Sequence, residues 1–397
     1  MLRRLGFAVA LVAVLALLHG LPWWLLVWAP GWPTATTTVV TAVTVLAVLG
    51  FPLAMVLGHG PAQRDAAAVA GDTWLGIVWQ LFAWAVPGAA ALGIAVAAGA
   101  DAVTAARVVA VVVLVGVTGL CCWGLVEAMR TPRVRRLDVP LARLGPRLDG
   151  LRLVLIADTH YGPIDRTGWS RRLADLVNTL DADVLAHAGD IADGTVRRRR
   201  DQAAPLADMR AALARVYVTG NHEYFSDAPG WVEHLAASGW TVLHNRHTVV
   251  RRGGDALVLA GVDDATASRS GIQGHGADLA AALAGIPDNA PVVLLSHQPK
   301  TVPAAVAAGV DLQLSGHTHG GQIWPFHLLV RADQKTLHGL TLPDERTWLY
   351  TTRGSGFWGP PFRVFAPSEV TVLTLRRRPR DSENLPLDSR ADPGTST

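Results

Sequence analysis

"LRLVLIADTH" occupies Leu151–His160: an apolar run broken only by Arg152, with Asp158 and His160 at its end. The run Leu151–Ala157 reads as a β-strand. The same texture returns at Val184–Ala188, Val216–Thr219, Leu257–Gly261, Val292–Ser296, Leu312–Ser315 and Val370–Leu375. Between these runs, Trp169–Leu180, Ala204–Leu213, Trp231–Ala237, Ala277–Ala284 and Val302–Ala307 carry helical patterns. Strands alternating with helices make an α/β domain, and no internal repeat interrupts it.

The residues after each strand decide what such a domain can do. Asp158-Thr-His160 follows the first run, Gly189-Asp190 the second and Gly220-Asn-His-Glu223 the third. Ser296-His297 and Ser315-Gly-His-Thr-His319 follow two later ones. Open α/β sheets bind ligands at the carboxyl ends of their strands. One Asp or His in such a place is a turn residue or a helix cap. Five strand ends that carry only metal-competent groups are not explained as turns.

Carboxylate, imidazole and one amide oxygen, with no thiolate, suit manganese, iron or zinc rather than a structural zinc. Seven such groups exceed the needs of one ion. They fit two divalent ions about 3.5–4 Å apart, sharing a carboxylate and a solvent-derived hydroxide, the arrangement for in-line phosphoryl hydrolysis. A further imidazole outside the ligand set would protonate the leaving oxygen.

The series DTH, GD, GNHE, SH and GHTH, in that order, resembles the calcineurin-like metallophosphoesterase superfamily over about Leu151–Arg376. "SGHTHGGQIWPF" (Ser315–Phe326) and "GSGFWGPPFRVFAPSEVTVLTL" (Gly354–Leu375) resemble its bacterial membrane-associated branch. The resemblance implies a four-layer α/β/β/α sandwich. By position it implies that Asp158, His160 and His319 hold one metal and that Asn221, His297 and His317 hold the other. Asp190 would bridge them, and His222 would stand beside the phosphate as acid or transition-state stabiliser. Two divalent ions are implied, with manganese the first choice among manganese, iron and zinc. Thr159 stands where the family often has Leu, and Glu223 where Asp is commoner; neither is a ligand position. No ligand is missing, which argues against a degenerate, non-catalytic copy.

The preceding half of the chain differs in kind. The 397 residues are 50% hydrophobic and 17% charged, with a mean hydropathy of +0.28. The apolar excess is local: no Asp, Glu, Lys or Arg lies between Arg4 and Arg64. Pro30, Gly31 and Pro33 divide that run into segments at about 5–28 and 35–58. Two more apolar segments lie at 73–100 and 108–126. A helix needs about 20 apolar residues to cross the hydrocarbon, so four transmembrane helices are expected within residues 1–128. Met1-Leu-Arg-Arg4 before an apolar run also resembles a signal peptide, but the three later segments favour an anchor.

Arg3 and Arg4 precede the first segment, and Arg130, Arg133, Arg135, Arg136 and Arg143 follow the fourth. The basic side is the cytoplasmic one, which places the catalytic half in the cytoplasm. Residues 129–150 read as a basic linker, 151–376 as the phosphoesterase domain and 377–397 as a disordered tail. Cys121 and Cys122 are adjacent, so there is no disulfide framework. A net charge of +3 gives no footprint for nucleic acid.

Other residues invite colder readings. His187 fits packing in a strand better than catalysis. Arg197–Arg200 fits a solvated loop or helix start better than a headgroup contact. Gly320 and Gly321 would let the backbone pass close to the metals. Arg353 to Arg363, with Phe357 and Trp358, either rim the pocket or form a structural loop.

The leading function is a membrane-anchored, metal-dependent phosphodiesterase acting on phosphoester or pyrophosphate bonds, with a lipid-linked substrate implied by the resemblance. A phosphomonoesterase, a scaffold or sensor retaining the fold, and a transporter with an attached domain are the alternatives. The transporter fits least, because His19 is the one ionisable side chain noted within the spans. The physiological substrate and the oligomeric state stay open at this level.

Overall fold

A computed structural model of the chain describes residues 2–378. It opens with four apolar helices: α1 (Leu2–Trp23, continued by a π-helical turn at Trp24–Trp28), α2 (Thr34–His59), α3 (Asp65–Ala97) and α4 (Ala102–Met129). Among the described residues, α2, α3 and α4 are long and apolar enough to cross a membrane, and the first segment adds a shorter apolar stretch, Val12–Trp28. α3 starts eight residues before the expected Thr73. Its first turns, Asp65-Ala-Ala-Ala-Val-Ala, combine strong helix formers with an acidic residue at the positive end of the helix dipole. At the start of α4 the Asp101 side chain accepts the Thr104 N–H at 2.9 Å, a conventional N-cap.

The rest of the chain forms twelve strands in two sheets. They are β1 (Arg133–Leu141), β2 (Arg152–Ile156), β3 (Val184–His187), β4 (Ala214–Tyr217), β5 (Thr241–Val242), β6 (Arg246–Arg252), β7 (Asp255–Gly261), β8 (Val292–Leu295), β9 (Leu312–Ser315), β10 (Gly339–Thr341), β11 (Trp348–Thr351) and β12 (Glu369–Arg377). One sheet runs β1-β12-β2-β3-β4-β5 and the other β10-β11-β9-β8-β7-β6. The helices are α5 (Thr167–Asn178), α6 (Val196–Ala203), α7 (Asn221–Ser226), α8 (Ala228–Ala237), α9 (Leu279–Leu283), α10 (Val302–Ala307) and α11 (His327–Gln334).

The alternation along each strand creates the layers. Leu153, Leu155, Val184 and Val216 of the first sheet meet Leu257, Leu259, Val293 and Leu314 of the second in one buried aliphatic core. The intervening Val154, Ile156 and Leu185 face outward, onto Trp169, Leu173 and Val177 of α5 and Trp231 of α8. On the far side Val258, Val292 and Leu294 pack under Ala282 of α9 and Ala305 of α10. Helix, sheet, sheet and helix make the expected four layers. Strands buried on both faces read as continuous apolar runs, the texture of LRLVLI.

Several local expectations are corrected. The stretch 129–150, expected as a linker, contains β1, which pairs in parallel with β12 from Arg133↔Glu369 to Leu141↔Arg377. Its many arginines hid it, because an edge strand needs only one apolar face. Helix expected at 204–213 instead lies earlier, as α6 and a 3₁₀ turn at Ala204–Asp208. α7, α11, β5, β6, β10 and β11 were not anticipated. The disordered tail expected at 377–397 falls outside the described residues from 379 onward.

The apolar helices are docked on the domain rather than tethered to it. Glu127, buried at the end of α4, pairs with Arg130 and Arg133, and Trp169 Nε1 donates to the Arg130 carbonyl at 2.9 Å. Arg199 of α6 is buried and makes a two-pronged pair with Asp65 at the start of α3. Of the basic run at 197–200, Arg199 is the buried docking element; Arg197, Arg198 and Arg200 stay exposed at the start of α6, as expected. Midway along α3 the buried Gln80 Nε2 donates to the Trp324 carbonyl at 2.7 Å. Trp84 meets Trp324 with ring centroids 5.2 Å apart, and Trp79 meets Phe326 edge-on at 5.7 Å. Phe362 lies so close to Gly76 that a Cβ there would stand 2.5 Å from its ring. Glycine is what lets α3 approach.

Leu155 is fully buried at the centre of the inter-sheet core. Leu155→Ala is expected to destabilise the domain by about 2–5 kcal/mol. Leu328→Ala on the exposed face of α11 is expected to stay within about 0.5 kcal/mol. Denaturant unfolding of the detergent-solubilised chain, followed by tryptophan fluorescence, checks both.

Candidate metal centre

The structure gathers all eight residues singled out in the sequence at one end of the two sheets. Asp158 and His160 follow β2, Asp190 follows β3, and Asn221 and His222 open α7 just past β4. His297 follows β8, and His317 and His319 follow β9. His160 Nε2 lies 3.0 Å from His319 Nε2, and His319 Nε2 lies 3.7 Å from Asp158 Oδ1. Asn221 Oδ1 is 2.9 Å from His317 Nδ1 and 3.2 Å from His297 Nε2. Asp190 Oδ2 touches both groups, 3.5 Å from His160 Nε2 and 3.1 Å from His297 Nε2.

The local backbone is unusual. Asp158, His160, Asp190, His317 and His319 all have φ between +44° and +70°. For residues with a Cβ the left-handed region costs free energy, of order 1–3 kcal/mol each in sparsely populated cases, and such residues cluster at functional sites. Gly220 answers another constraint: a Cβ there would fall 2.1 Å from Asp190 Oδ1. The chain is bent sharply at each strand end so that short side chains turn back towards one another.

Donor and acceptor counting tests whether these groups suit cations. The Nδ1 of His297 donates to the Ala188 carbonyl at 2.7 Å, which leaves Nε2 as the atom facing Asp190 Oδ2 and Asn221 Oδ1, both acceptors. Burial works downward, but Asp190 outweighs it and raises His297 well above the usual histidine range, so without a cation a proton fills that place. The Nδ1 of His160 donates to Asp193 Oδ1 at 2.8 Å, so its Nε2 lone pair likewise faces His319 and Asp190. Asp158 Oδ2 is buried with no hydrogen-bond partner. Such lone pairs, packed together away from water, need positive charge between them, and the donor set fits two ions.

The electrostatics agree. Burial raises the Asp158 carboxyl to about 6, the response of a carboxylate lacking a counter-charge. Burial, followed by His160 and Arg363, holds His319 well below the usual histidine range, so its imidazole is neutral. Burial, then His297, takes His317 down to about 3. For His222 burial works downward, but Asp190 and Asp193 outweigh it and push the imidazole up to about 9. That keeps the His222 imidazole protonated at neutral pH. Its Nδ1 is held by Asp193 Oδ1 at 2.7 Å.

The roles of three residues are not evident from the sequence. Asp193 braces both His160 and His222; its signal was available, since it stands three residues after Asp190 on the same loop. Glu223 accepts the backbone N–H groups of Gly220, Asp190 and Ile191 at 2.6–3.0 Å, clamping two of the loops together. Arg363, fully buried, donates to the carbonyls of Gly356 and Ala366 and lies 3.3 Å from His319 Nδ1. It makes the C-terminal loop structural, while Trp358 of the same loop faces His222 at 5.8 Å; both readings of that stretch apply. His187 is buried against Tyr217 and Trp240, and burial lowers it to about 3, as befits packing.

Comparison with known proteins places this geometry. The calcineurin-like phosphoesterase family matches residues 151–321. A Danio rerio protein described as a transmembrane protein with metallophosphoesterase domain is 38% identical over 264 residues, 65% of this chain and 60% of the relative. A Bos taurus protein of the same description is 37% identical over 272 residues, 66% of this chain and 61% of the relative. An uncharacterized metallophosphoesterase of Helicobacter pylori is 33% identical over 253 residues, 64% of this chain and 66% of the relative. The chain thus spans about three fifths of the length of the two animal relatives. The fold of these proteins implies a dimetal centre, and the His and Asp clusters are its candidate ligands. Residues 151–321 carry a calcineurin-like phosphoesterase domain.

Proposed function

We propose that the chain is a membrane-anchored phosphohydrolase working through two divalent ions, with phosphodiesters as its substrates. The observation that carries this reading is the convergence of imidazole nitrogens, an amide oxygen and carboxylates on either side of Asp190. Asp158, His160 and His319 would hold one ion, Asn221, His297 and His317 the other, with Asp190 between them. When bound, such a pair lowers the pKa of a shared water and neutralises charge on the phosphoryl oxygens. His222, protonated and oriented by Asp193, delivers a proton to the departing oxygen. Asp193 also fixes the His160 tautomer, the role of a carboxylate behind a metal-binding histidine. Manganese is the first choice of metal for a set of nitrogen and oxygen donors without thiolate.

The space above the centre supports the diester and the lipid-linked substrate. A cavity of about 530 Å³ has His160, Asp190, Asn221, His317 and His319, with His222, as its floor. Leu75, Gly76 and Trp79 of α3 form one wall, and Ile323, Phe326, Leu329 and Val330 another. No Arg or Lys is among its lining residues. A monoester dianion gains from such a cation, whereas a diester with apolar substituents does not require one. A phosphate group on the floor would leave its apolar tail beside a helix of the membrane region. The basic residues beyond α4 support a cytoplasmic domain.

Full-length protein in detergent with Mn²⁺ is expected to hydrolyse bis-p-nitrophenyl phosphate, to lose activity with EDTA and to regain it on adding metal. Asp190→Ala is expected to abolish turnover, and Asp193→Asn to lower activity or metal affinity by about 10–100-fold. An active Asp190→Ala would sink the two-ion reading.

Leu329→Asp and Val330→Asp are expected to lower kcat/KM for a diacyl phosphodiester by about tenfold or more, since two buried methylenes alone are worth ~1.6 kcal/mol. Turnover of bis-p-nitrophenyl phosphate should change little. Equal losses on both substrates would remove the case for a lipid tail in this cavity. For orientation, a C-terminal GFP fusion is expected to fluoresce and an alkaline phosphatase fusion to be inactive; the reverse pattern would place the domain outside.

A further inference from the structure

A second cluster of ligand-type side chains stands apart from the dimetal residues. His244 lies between β5 and β6, Asp263 just past β7, and His275 in the loop that follows. One donor atom from each lies within 4.8 Å of the others. His244 Nδ1 is 2.6 Å from Asp263 Oδ1, and His275 Nδ1 is 3.7 Å from Asp263 Oδ2. The Tyr224 hydroxyl lies 3.0 Å from the same His275 nitrogen and offers a fourth donor atom. We propose that His244, Asp263 and His275 form a third divalent-cation site, of the zinc class, beside the dimetal centre.

The alternative, a plain histidine–aspartate ion pair, leaves features unexplained. Two imidazoles converge on one buried carboxylate, with ring centroids only 4.6 Å apart at 35°. Both rings turn Nδ1 towards that carboxylate, and a single cation between the two nitrogens and the carboxylate would serve all three as ligands. Two nitrogens and a carboxylate oxygen, with one further position for a hydroxyl or water, are a donor set suited to zinc.

The cluster is also braced as a metal site must be. Asn245, with φ +48°, accepts the backbone N–H groups of Asp263 and Asp278 at 3.1 and 3.0 Å through Oδ1. Its Nδ2 donates to the Gly276 carbonyl at 2.6 Å, and the Gly276 N–H donates to Asp263 Oδ2 at 3.0 Å. These bonds fix His244 and His275 on either side of the carboxylate. Outer bonds of this kind set ligand orientation.

Its place in the sheet ties it to the main centre. β7 and β8 are paired in parallel with Gly261 opposite Leu295. Asp263 and His297 each stand two residues beyond that pair, so they occupy equivalent positions on neighbouring strands, which lie about 4.8 Å apart. Tyr224 is two residues from His222 on α7. An ion here would pin the loop 262–277 against the β5–β6 turn at the border of the dimetal pocket.

Zinc content and loop protection test the site in the full chain in detergent. After equilibration with Zn²⁺ and desalting, elemental analysis is expected to find three zinc per wild-type chain and two in His244→Gln and in His275→Gln. Arg269 is exposed within the loop, so Zn²⁺ is expected to slow tryptic cleavage there in the wild type and in neither variant. Asp190→Ala, which disables the main centre, is expected to keep that protection, so failure of this site and failure of the dimetal reading are distinguishable. Unchanged zinc content in both histidine variants, or cleavage at Arg269 indifferent to zinc in the wild type, overturns the proposal. Both histidines are at least partly accessible, and either variant alone decides the case if the other does not fold.

Discussion

Asp190 lies where two imidazoles each turn Nε2 towards it, because the Nδ1 atoms of His160 and His297 are bonded to partners on the far side of the ring. Inside a protein that arrangement is unfavourable without added positive charge. Much around it serves to hold the arrangement regardless. Glu223 clamps the loop that carries Asp190 to the one that carries Asn221, Asp193 fixes two imidazoles, and five residues keep left-handed backbone conformations. The packed sheets make this tolerable, since the inter-sheet core fixes where each strand ends and therefore where each bend begins. A region built against its own electrostatics is prepared for cations before any arrive, so little reorganisation is left for binding.

Much of this was legible in the sequence because each half of the pattern is local. An apolar run of the length of a strand ending in Asp or His can be seen at Leu151–His160 without knowing its neighbours, and the five runs point to one site if they share a sheet edge. The layers were legible for the same reason, as buried central strands carry no polar face. What escaped depends on partners distant in sequence. β1 looks like a linker until β12 lies beside it, some 230 residues later. Arg199 looks like one of four solvated arginines until Asp65 receives it. Arg363 carries no local sign of its buried place, because the carbonyls it binds belong to a loop with no regular structure. Asp193 is the exception, being adjacent to a recognised motif and of the right chemistry; its tautomer-fixing role emerges only when His160 and His222 are seen on either side of it.

The apolar helices contribute more than attachment. Leu75, Gly76 and Trp79 wall the cavity above the dimetal residues, so the soluble domain alone would have an incomplete pocket. The contacts that set this wall are of different kinds: an ion pair at the start of α3, an amide-to-carbonyl hydrogen bond at its middle and aromatic stacking along its length. A displaced α3 would change the cavity without touching a single proposed ligand.

Gln80 and Trp324 are separated by 244 residues of chain. At synthesis rates of about 5–20 residues per second, that interval lasts roughly 10–50 s. During it α3 carries an amide whose eventual acceptor has not yet been made. The final seating of the helix therefore waits on the completed domain, and a ribosome stalled before Trp324 would leave Gln80 without its partner.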